Sequence, residues 1–335
     1  MTLDVRGLKT HFFTRAGVVK AVDGVDFSVG AGEVMGLVGE SGSGKSITGF
    51  SILGLIDPPG RVVEGSIKFE GEDLVGASEA RMRAIRGNRI AMIFQDPMMT
   101  LNPVLRVDTQ MIEAIRAHAR VDRATARARA RDALGLVGIP SPEERLAAYP
   151  HQLSGGMRQR VAIAIAFLNE PKLIIADEPT TALDVTIQAQ IIHEAQALCR
   201  RTGTALVWIT HDLAVVAGLA DRIAVMYAGR IVEQGATDDV IDRPAHPYTV
   251  GLLGSAPSAN PRGQRLRQIR GMTPDMLALP RGCAFRERCD FGDGACAVAP
   301  ARTEGGGRAF RCHHPRTPPA AEGAEDPSMP RGMTA

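Results

Sequence analysis

The sequence is poor in aromatic residues and contains no long apolar run. Phenylalanine, tryptophan and tyrosine make up 4% of its 335 residues, so the core must rest on aliphatic side chains and methionine. No stretch reaches the ~18–20 apolar residues of a membrane-spanning helix, and no basic start followed by an apolar region marks a secretory signal. We therefore expect the chain to be made and kept in the cytosol, where another subunit can still hold it at a membrane.

An excess of charge of one sign is also lacking. The 39 lysines and arginines face 37 aspartates and glutamates, which gives a net charge of +2. This balance gives no support for nucleic-acid binding on composition alone. The Arg-rich stretch 116–131 is interpreted as a solvated helix face.

Cysteine is scarce and unevenly distributed. Of the five cysteines, Cys199 stands alone in a helical pattern, where we expect a small buried side chain. The other four, Cys283, Cys289, Cys296 and Cys312, lie close to the C-terminus. Disulfides are rare in cytosolic proteins, so this group is interpreted as a metal site.

Apolar runs alternate with helical patterns through most of the chain. The short apolar runs 173–176 and 205–210 are typical of buried parallel strands, and residues 96–149 follow a helical pattern. This alternation predicts an α/β fold with a mainly parallel sheet and helices on both faces. The stretch 315–335, rich in Pro, Ala, Gly and Glu, is predicted to be disordered.

A glycine-rich loop carries the clearest chemical signal. It has the pattern G-x-x-x-x-G-K-S between an apolar run and a helical segment, which is the setting of a phosphate-binding loop. Its backbone N–H groups can meet phosphate oxygens, while Lys45 can reach the β- and γ-phosphates and Ser46 can ligate Mg²⁺. The motif occurs once and no internal repeat is found, which predicts one nucleotide-binding unit. The loop residues expected to bind ATP are Gly39, Ser41, Gly42, Gly44, Lys45 and Ser46.

Two adjacent carboxylates, Asp177 and Glu178, end the apolar run 173–176. The first can hold Mg²⁺ and the second can orient and polarise the water that attacks the γ-phosphate. An acidic pair after a strand is often a simple surface turn, but an upstream phosphate-binding loop favours the catalytic interpretation.

A second glycine motif opens a later helix. Residues 153–160 read Leu-Ser-Gly-Gly-Met-Arg-Gln-Arg, in which Ser154 suits the N-cap position. Gly155 and Gly156 leave the helix N-terminus uncovered, where exposed N–H groups and the helix dipole favour an anion. This motif is therefore a second candidate phosphate site.

The order of these motifs, followed by Ala182-Leu183-Asp184 and His211, resembles the ATP-binding subunit of an ABC transporter. The resemblance covers about residues 3–240 and implies a P-loop NTPase of ABC type. It implies a domain of residues 1–242 with a mainly parallel sheet core, an antiparallel β subdomain and a helical subdomain at about 96–160. In that family two subunits form a head-to-tail dimer, with ATP between the phosphate-binding loop of one and the LSGG helix of the other.

The same resemblance implies catalytic roles and metal ligands. Glu178 would be the catalytic carboxylate, and His211 would contact the γ-phosphate. Ser46, Gln95 and Asp177 would surround the Mg²⁺ that accompanies ATP.

Four further roles follow from the family pattern. Gln95 would also link the nucleotide state to the membrane subunits, and Asp184 would lie at the dimer interface. Phe12 would stack on adenine, with Phe13 as the alternative. Ser154, Gly155 and Gly156 would contact the ATP bound by the other subunit.

The region 243–314 resembles the C-terminal extension of oligopeptide/dipeptide transporter ATPases, whose members with four cysteines look like carriers of a 4Fe–4S cluster. The spacing here is C-x5-C-x6-C-x15-C. Four thiolates suit iron–sulfur or structural zinc, and the lack of C-x2-C pairs favours iron–sulfur. His313 and His314 leave a mixed ligand set open. A structural role is expected for the metal group, because a loop-rich segment with little apolar core needs a cross-link to stay folded. A redox-sensing role stays an alternative.

The resemblance implies an ATP-hydrolysing subunit of an importer of di- or oligopeptides, or of a related small solute such as nickel. Its partners would be a second ABC ATPase in a heterodimer, two transmembrane permease subunits and an extracytoplasmic substrate-binding protein. No nucleic acid is expected, and the location would be peripheral, at the cytoplasmic face of the inner membrane. The alternative is a soluble ABC-type ATPase acting on DNA or ribosomes, although such proteins usually carry two nucleotide-binding units.

Overall fold

The computed structural model describes residues 1–180, 185–256, 260, 265 and 267–316. Two β-sheets, a group of helices and a loop-rich C-terminal segment make up this part of the chain. Asp184 and residues 317–335 of the tail predicted to be disordered lie outside the described residues.

The strands fall into two sheets. They are β1 (Leu3–Thr14), β2 (Gly17–Val29), β3 (Val34–Val38), β4 (Gly60–Phe69), β5 (Glu72–Asp73), β6 (Ile90–Ile93), β7 (Leu173–Asp177), β8 (Ala205–Thr210), β9 (Arg222–Tyr227), β10 (Arg230–Ala236), β11 (Thr303–Gly305) and β12 (Arg308–Phe310). An antiparallel sheet has the order β2-β1-β4-β5, and the main sheet has the order β11-β12-β10-β9-β3-β8-β7-β6. In the main sheet β9, β3, β8, β7 and β6 run parallel, while β10, β12 and β11 continue it in antiparallel fashion.

The main sheet is buried on both faces. Along β3, Val34 and Val38 belong to one apolar cluster, while Met35 and Leu37 belong to the other. Alternating residues of a strand point to opposite faces, so one continuous apolar run supplies two cores, as expected for a parallel sheet covered by helices.

The helices pack around the sheet and form a separate helical region. They are α1 (Lys45–Ile52), α2 (Glu79–Ile85), α3 (Val107–Arg116), α4 (Arg123–Leu136), α5 (Pro142–Leu146), α6 (Gly155–Phe167), α7 (Val185–Thr202), α8 (Leu213–Ala217), α9 (Thr237–Asp242) and α10 (Pro247–Ser255). Helix α4 begins where Asp122 accepts a hydrogen bond from the Thr125 N–H, and it buries Ala126 and Ala130. Its arginines lie on the outer, exposed or half-exposed face, as predicted. None of the described helices is both long and apolar enough to span a membrane.

The C-terminal segment is joined to the main sheet. Strand β12 pairs with β10, and Phe285 packs against Tyr227 and Tyr248 with ring centroids 5.3 and 5.4 Å apart. Beneath this contact the fully buried Glu233 carboxylate accepts hydrogen bonds from the Ala245 and His246 N–H groups and pairs with Arg308 at 2.9 Å. The boundary at residue 242 stays a prediction.

Candidate functional site

The phosphate-binding loop connects β3 to α1, as the sequence predicts. Gly44 has a φ of +102°, and a Cβ there would lie 2.2 Å from the Ala21 carbonyl oxygen. Glycine is therefore required at this position for both conformation and space. Gly42 of this loop and Lys45 and Ser46, at the start of α1, line an open groove.

Lys45 is 5% exposed and already held by the loop. Its Nζ donates hydrogen bonds to the carbonyl oxygens of Gly39 and Glu40, at 2.7 and 2.9 Å. Burial lowers the pKa of this ammonium, and the nearby Glu178 and Asp177 carboxylates oppose the shift. Lys45 is thus a buried cation at the wall of the groove, held in place by the loop and suited to bind an anion there.

Ser46 and Asp177 meet at the base of the groove. The Ser46 hydroxyl donates to the Asp177 carboxylate at 2.9 Å, and Asp177 is 5% exposed. Burial raises the pKa of Asp177, against the hydrogen bond from Ser46 and the charge of Lys45. These two oxygen ligands are what a Mg²⁺ that keeps several waters prefers.

Glu178 and His211 lie at the carboxyl ends of neighbouring parallel strands, β7 and β8. His211 Nδ1 lies 3.3 Å from the Glu178 carboxylate, and both line the groove. Glu178 has a φ of 44° and its N–H donates to the Ile209 carbonyl oxygen at 2.9 Å, which holds its backbone in place. Gln95, which follows β6, lines the same groove and is exposed. Ligands bind in this crevice in open α/β sheets.

The LSGG motif lies elsewhere on the surface. Ser154 caps α6 by accepting a hydrogen bond from the Met157 N–H at 3.2 Å. Ser154 and Gly155 are exposed, and a Cβ at Gly155 would meet no atom within 4 Å. The motif is not among the residues lining the groove of the same chain. Nothing that the structure describes around Gly155 requires a glycine. The N-terminus of α6 is therefore open to contact with another molecule.

The β1–β2 register separates the two candidate aromatic residues. Phe12 pairs with Val19, which lines the groove, whereas Phe13 pairs with Val18. Directly opposed residues share a face of an antiparallel pair, so Phe12 shares a face with Val19, although Phe12 is not itself among the residues that line the groove. Phe13 is 38% exposed, and the Arg61 guanidinium lies 4.2 Å from its ring centroid.

Several residues at the groove have no signal in the sequence. The Glu40 N–H donates to the Tyr248 hydroxyl at 2.8 Å, and Arg288 pairs with the Glu40 carboxylate. The segment 268–273 of the C-terminal region forms a further wall of the groove. These contacts join positions more than 200 residues apart, so local patterns could not predict them.

The four C-terminal cysteines are free and gathered in one place. Cys289 and Cys296 are buried and Cys283 and Cys312 half-buried, and the Cys283 N–H donates to the Cys296 carbonyl at 2.9 Å. Burial raises the pKa of Cys312 to about 11, and the three other thiols add to the shift. All four sulfurs are therefore close enough to interact electrostatically.

A tighter group lies beside these thiols. Among the described residues, one set of three or more metal-ligand atoms lies within 4.8 Å of one another, formed by Asp293, Cys296 and His314. In a tetrahedral zinc site with Zn–S bonds of about 2.3 Å the sulfurs are about 3.8 Å apart. No three of the four thiols in the described structure are that close.

Comparison with known proteins identifies related families for both the nucleotide-binding part and the C-terminal region of the chain. Residues 22–181 match the ABC transporter family, and residues 232–296 match the oligopeptide/dipeptide transporter C-terminal region. A probable peptide ABC transporter ATP-binding protein of Sinorhizobium fredii is 52% identical over 298 residues, covering 88% of this chain and 89% of that protein. A dipeptide transport ATP-binding protein of Escherichia coli is 49% identical over 315 residues, covering 93% of this chain and 96% of that protein.

Solved structures show the same fold. A dimeric ATP-binding cassette in a post-hydrolysis state with ADP and Pi is 26% identical, with a TM-score of 0.64, and covers 70% of this chain and 98% of that chain. A cassette of an ABC transporter complex from Clostridium perfringens is 27% identical, with a TM-score of 0.61, and covers 72% and 90% of the two chains. The predictions of fold class and family are confirmed. The chain belongs to the ATP-binding, ATP-hydrolysing proteins of ABC transporters, in the group that carries the oligopeptide/dipeptide transporter C-terminal region.

Proposed function

We propose that this chain drives the import of di- or oligopeptides by hydrolysing ATP in a dimer of cassettes. The observation that carries the proposal is the convergence of Lys45, Ser46, Glu178 and His211 on one groove, in a chain whose C-terminal region matches that of peptide transporters. Relatives about half identical to this chain are named as peptide, dipeptide or oligopeptide transport proteins.

In the proposed mechanism the loop N–H groups and Lys45 bind the β- and γ-phosphates, and Phe12 contacts adenine. Glu178 accepts a proton from the attacking water, and His211, 3.3 Å from that carboxylate, contacts the γ-phosphate. Ser46 and Asp177 would hold Mg²⁺, with Gln95 near it, and the ion would neutralise phosphate charge. Positioning and charge stabilisation account for most of the rate enhancement in such reactions.

The exposed LSGG helix supports a second cassette as partner. Ser154, Gly155 and Gly156 would complete the site of the neighbouring subunit, so closing the dimer would require ATP. Gln95, exposed at the groove, would pass the nucleotide state to two membrane permease subunits. We propose a heterodimer at the cytoplasmic face of the membrane, fed by an extracytoplasmic binding protein. Asp184 is assigned to the dimer interface on the family pattern alone.

Peptide uptake tests the transport assignment. Host cells that lack this chain but retain its partner subunits should regain uptake of a labelled dipeptide or oligopeptide when the wild-type chain is supplied, and the chain should sediment with membranes only when the permeases are present. A hydrolysis-deficient variant should sediment in the same way without restoring uptake. Persistent binding to DNA or ribosomes, with no uptake, would support the soluble-ATPase alternative instead.

We also propose that Cys283, Cys289, Cys296 and Cys312 hold a 4Fe–4S cluster. Four free thiols at least half-buried within a loop-rich segment fit this group, and no three of them lie as close together as a zinc tetrahedron requires. The group would hold the segment folded where its apolar core is small. Zinc bound by Asp293, Cys296 and His314 is the alternative.

Metal and sulfide analysis of anaerobically purified protein separates these two sites. We expect iron with matching acid-labile sulfide, lost in Cys283→Ala and kept in both Cys199→Ala and His314→Ala. Cys199 is the matched control because it is a fully buried thiol remote from the other four in sequence. If zinc is found without sulfide and is lost in His314→Ala, the protein holds zinc at Asp293, Cys296 and His314 instead of an iron–sulfur cluster.

A further inference from the structure

The C-terminal segment contacts the phosphate-binding loop through an ion pair between the buried Arg288 and the partly buried Glu40. The Arg288 guanidinium donates two hydrogen bonds to the Glu40 carboxylate, at 2.6 and 2.9 Å, across 248 positions of sequence. The Arg288 side chain is 6% exposed and lines the nucleotide groove. We propose that Arg288 is a positioning residue for ATP binding, which acts on the loop through Glu40.

Glu40 connects this pair to the residue that binds phosphate. Its backbone carbonyl accepts a hydrogen bond from Lys45 Nζ at 2.9 Å, and its N–H donates to the Tyr248 hydroxyl at 2.8 Å. The carboxylate, the N–H and the carbonyl of one residue are thus each held by a different partner. A shift of Glu40 moves a hydrogen-bond acceptor of Lys45, so Arg288 sets the starting position of that ammonium through Glu40.

Arg288 is itself held on its other side. Its Nε donates to the Arg270 carbonyl at 2.9 Å, and Arg270 in turn donates to the Cys289 carbonyl at 2.5 Å. The guanidinium carbon lies 5.8 Å from the ring centroids of Tyr227 and Phe285. A planar guanidinium that is hydrogen-bonded on both sides fixes the position of Glu40 more firmly than a flexible lysine ammonium would.

Because Arg288 is next to Cys289, the ion pair between Arg288 and Glu40 also couples the cysteine segment to the phosphate-binding loop. Any change in the fold of the cysteine segment moves the residue that holds Glu40, so this segment contributes to nucleotide affinity as well as to stability. Coupling of this kind is reciprocal between two sites. The proposal rests on the assignment of the loop as the ATP site.

A second ion pair, buried on both sides, offers a control. Arg308 pairs with Glu233 at 2.9 Å, with side chains 6% and 0% exposed, and it too joins the C-terminal region to the cassette. Neither residue lines the nucleotide groove. Removing Arg308 leaves the fully buried Glu233 carboxylate uncompensated, and removing Arg288 leaves the partly buried Glu40 carboxylate unpaired. Both changes should destabilise the fold, but only the change at Arg288 should affect ATP binding.

The test uses the full chain, assembled with its partner cassette and permeases, carrying Arg288→Gln, Arg288→Lys, Glu40→Gln or Arg308→Gln. For each variant the Kd for Mg-ATP, the KM and kcat of hydrolysis, and the melting temperature are measured. We expect Arg288→Gln to raise Kd and KM about tenfold, within the range of couplings between sites, with a smaller effect on kcat. Arg308→Gln should lower the melting temperature comparably and leave KM unchanged.

The conservative and double variants keep the test decisive. Glu40→Gln should reproduce the rise in KM, and adding it to Arg288→Gln should cause no further rise, because both remove one interaction. Arg288→Lys, which keeps the charge, supplies the measurement if Arg288→Gln does not fold. A wild-type KM in the Arg288 variants, or an equal rise in Arg308→Gln, would overturn the inference. Absence of ATP hydrolysis by the wild-type chain assembled with its partner cassette and permeases would instead count against the proposed function.

Discussion

Glu178→Gln is expected to reduce ATP turnover by about 10²- to 10⁴-fold, the usual contribution of a general base, while ATP binding persists. The amide keeps the shape of the side chain but cannot accept the proton of the attacking water. Glu178 lies at the end of β7, its N–H is bonded to the Ile209 carbonyl, and its carboxylate lies 3.3 Å from His211. Hydrolysis under saturating Mg-ATP and equilibrium ATP binding are the two measurements.

Glu170→Gln is the control for this substitution. Glu170 also has a positive φ, 50° against 44° for Glu178, and it lies before the other end of β7 on the exposed surface. The two variants therefore share the same backbone constraint and the same chemical change. Normal turnover is expected for Glu170→Gln. Equal loss in both variants, or substantial turnover in Glu178→Gln, would remove Glu178 from its proposed role.

Lys45→Met is expected to weaken ATP binding by about 2–5 kcal/mol, the cost of truncating a buried, hydrogen-bonded charge, or at least about 30-fold in Kd. Methionine preserves most of the apolar stem, so the 5% exposed position stays filled. What is lost is the cation that the Gly39 and Glu40 carbonyls hold at the groove. Isothermal titration with Mg-ATP measures the effect, and the melting temperature reports on folding.

Lys172→Met serves as the comparison for Lys45→Met. Lys172 is exposed and directly precedes β7, at the end of the strand away from the groove. Its substitution removes the same charge from the chain, so any general effect of net charge on ATP binding appears in both variants. An affinity for ATP in Lys45→Met equal to that of Lys172→Met would contradict the proposed phosphate contact.

Local chemistry explains why much of the site could be predicted from the sequence. Gly44 and Lys45 belong to a contiguous motif, and Asp177, Glu178 and His211 each follow an apolar run that forms a parallel strand. Because parallel strands end at one edge, such residues converge even though they are distant in sequence. The order of the motifs along the chain was therefore enough to predict that these residues lie close together.

Features that depend on register or on the path of the C-terminal region could not be predicted in this way. The choice between Phe12 and Phe13 needs the pairing of β1 with β2, which contains β-bulges. Arg288 sits among loops and 3₁₀ turns without periodicity, so nothing local indicates that it meets Glu40. The addition of β12 to the main sheet rests on a three-residue strand, too short for a sequence pattern.

The place of β12 bears on how the chain folds as it leaves the ribosome. Strand β10 is complete by residue 236, yet its outer edge gains a partner only with residues 308–310. Until then Glu233 lacks Arg308, and an unpaired strand edge is open to pairing with other chains. Domains fold from the N-terminus during synthesis, so the last-made strand closes a sheet that was begun at β3. A nascent chain stalled before residue 308 would expose that edge.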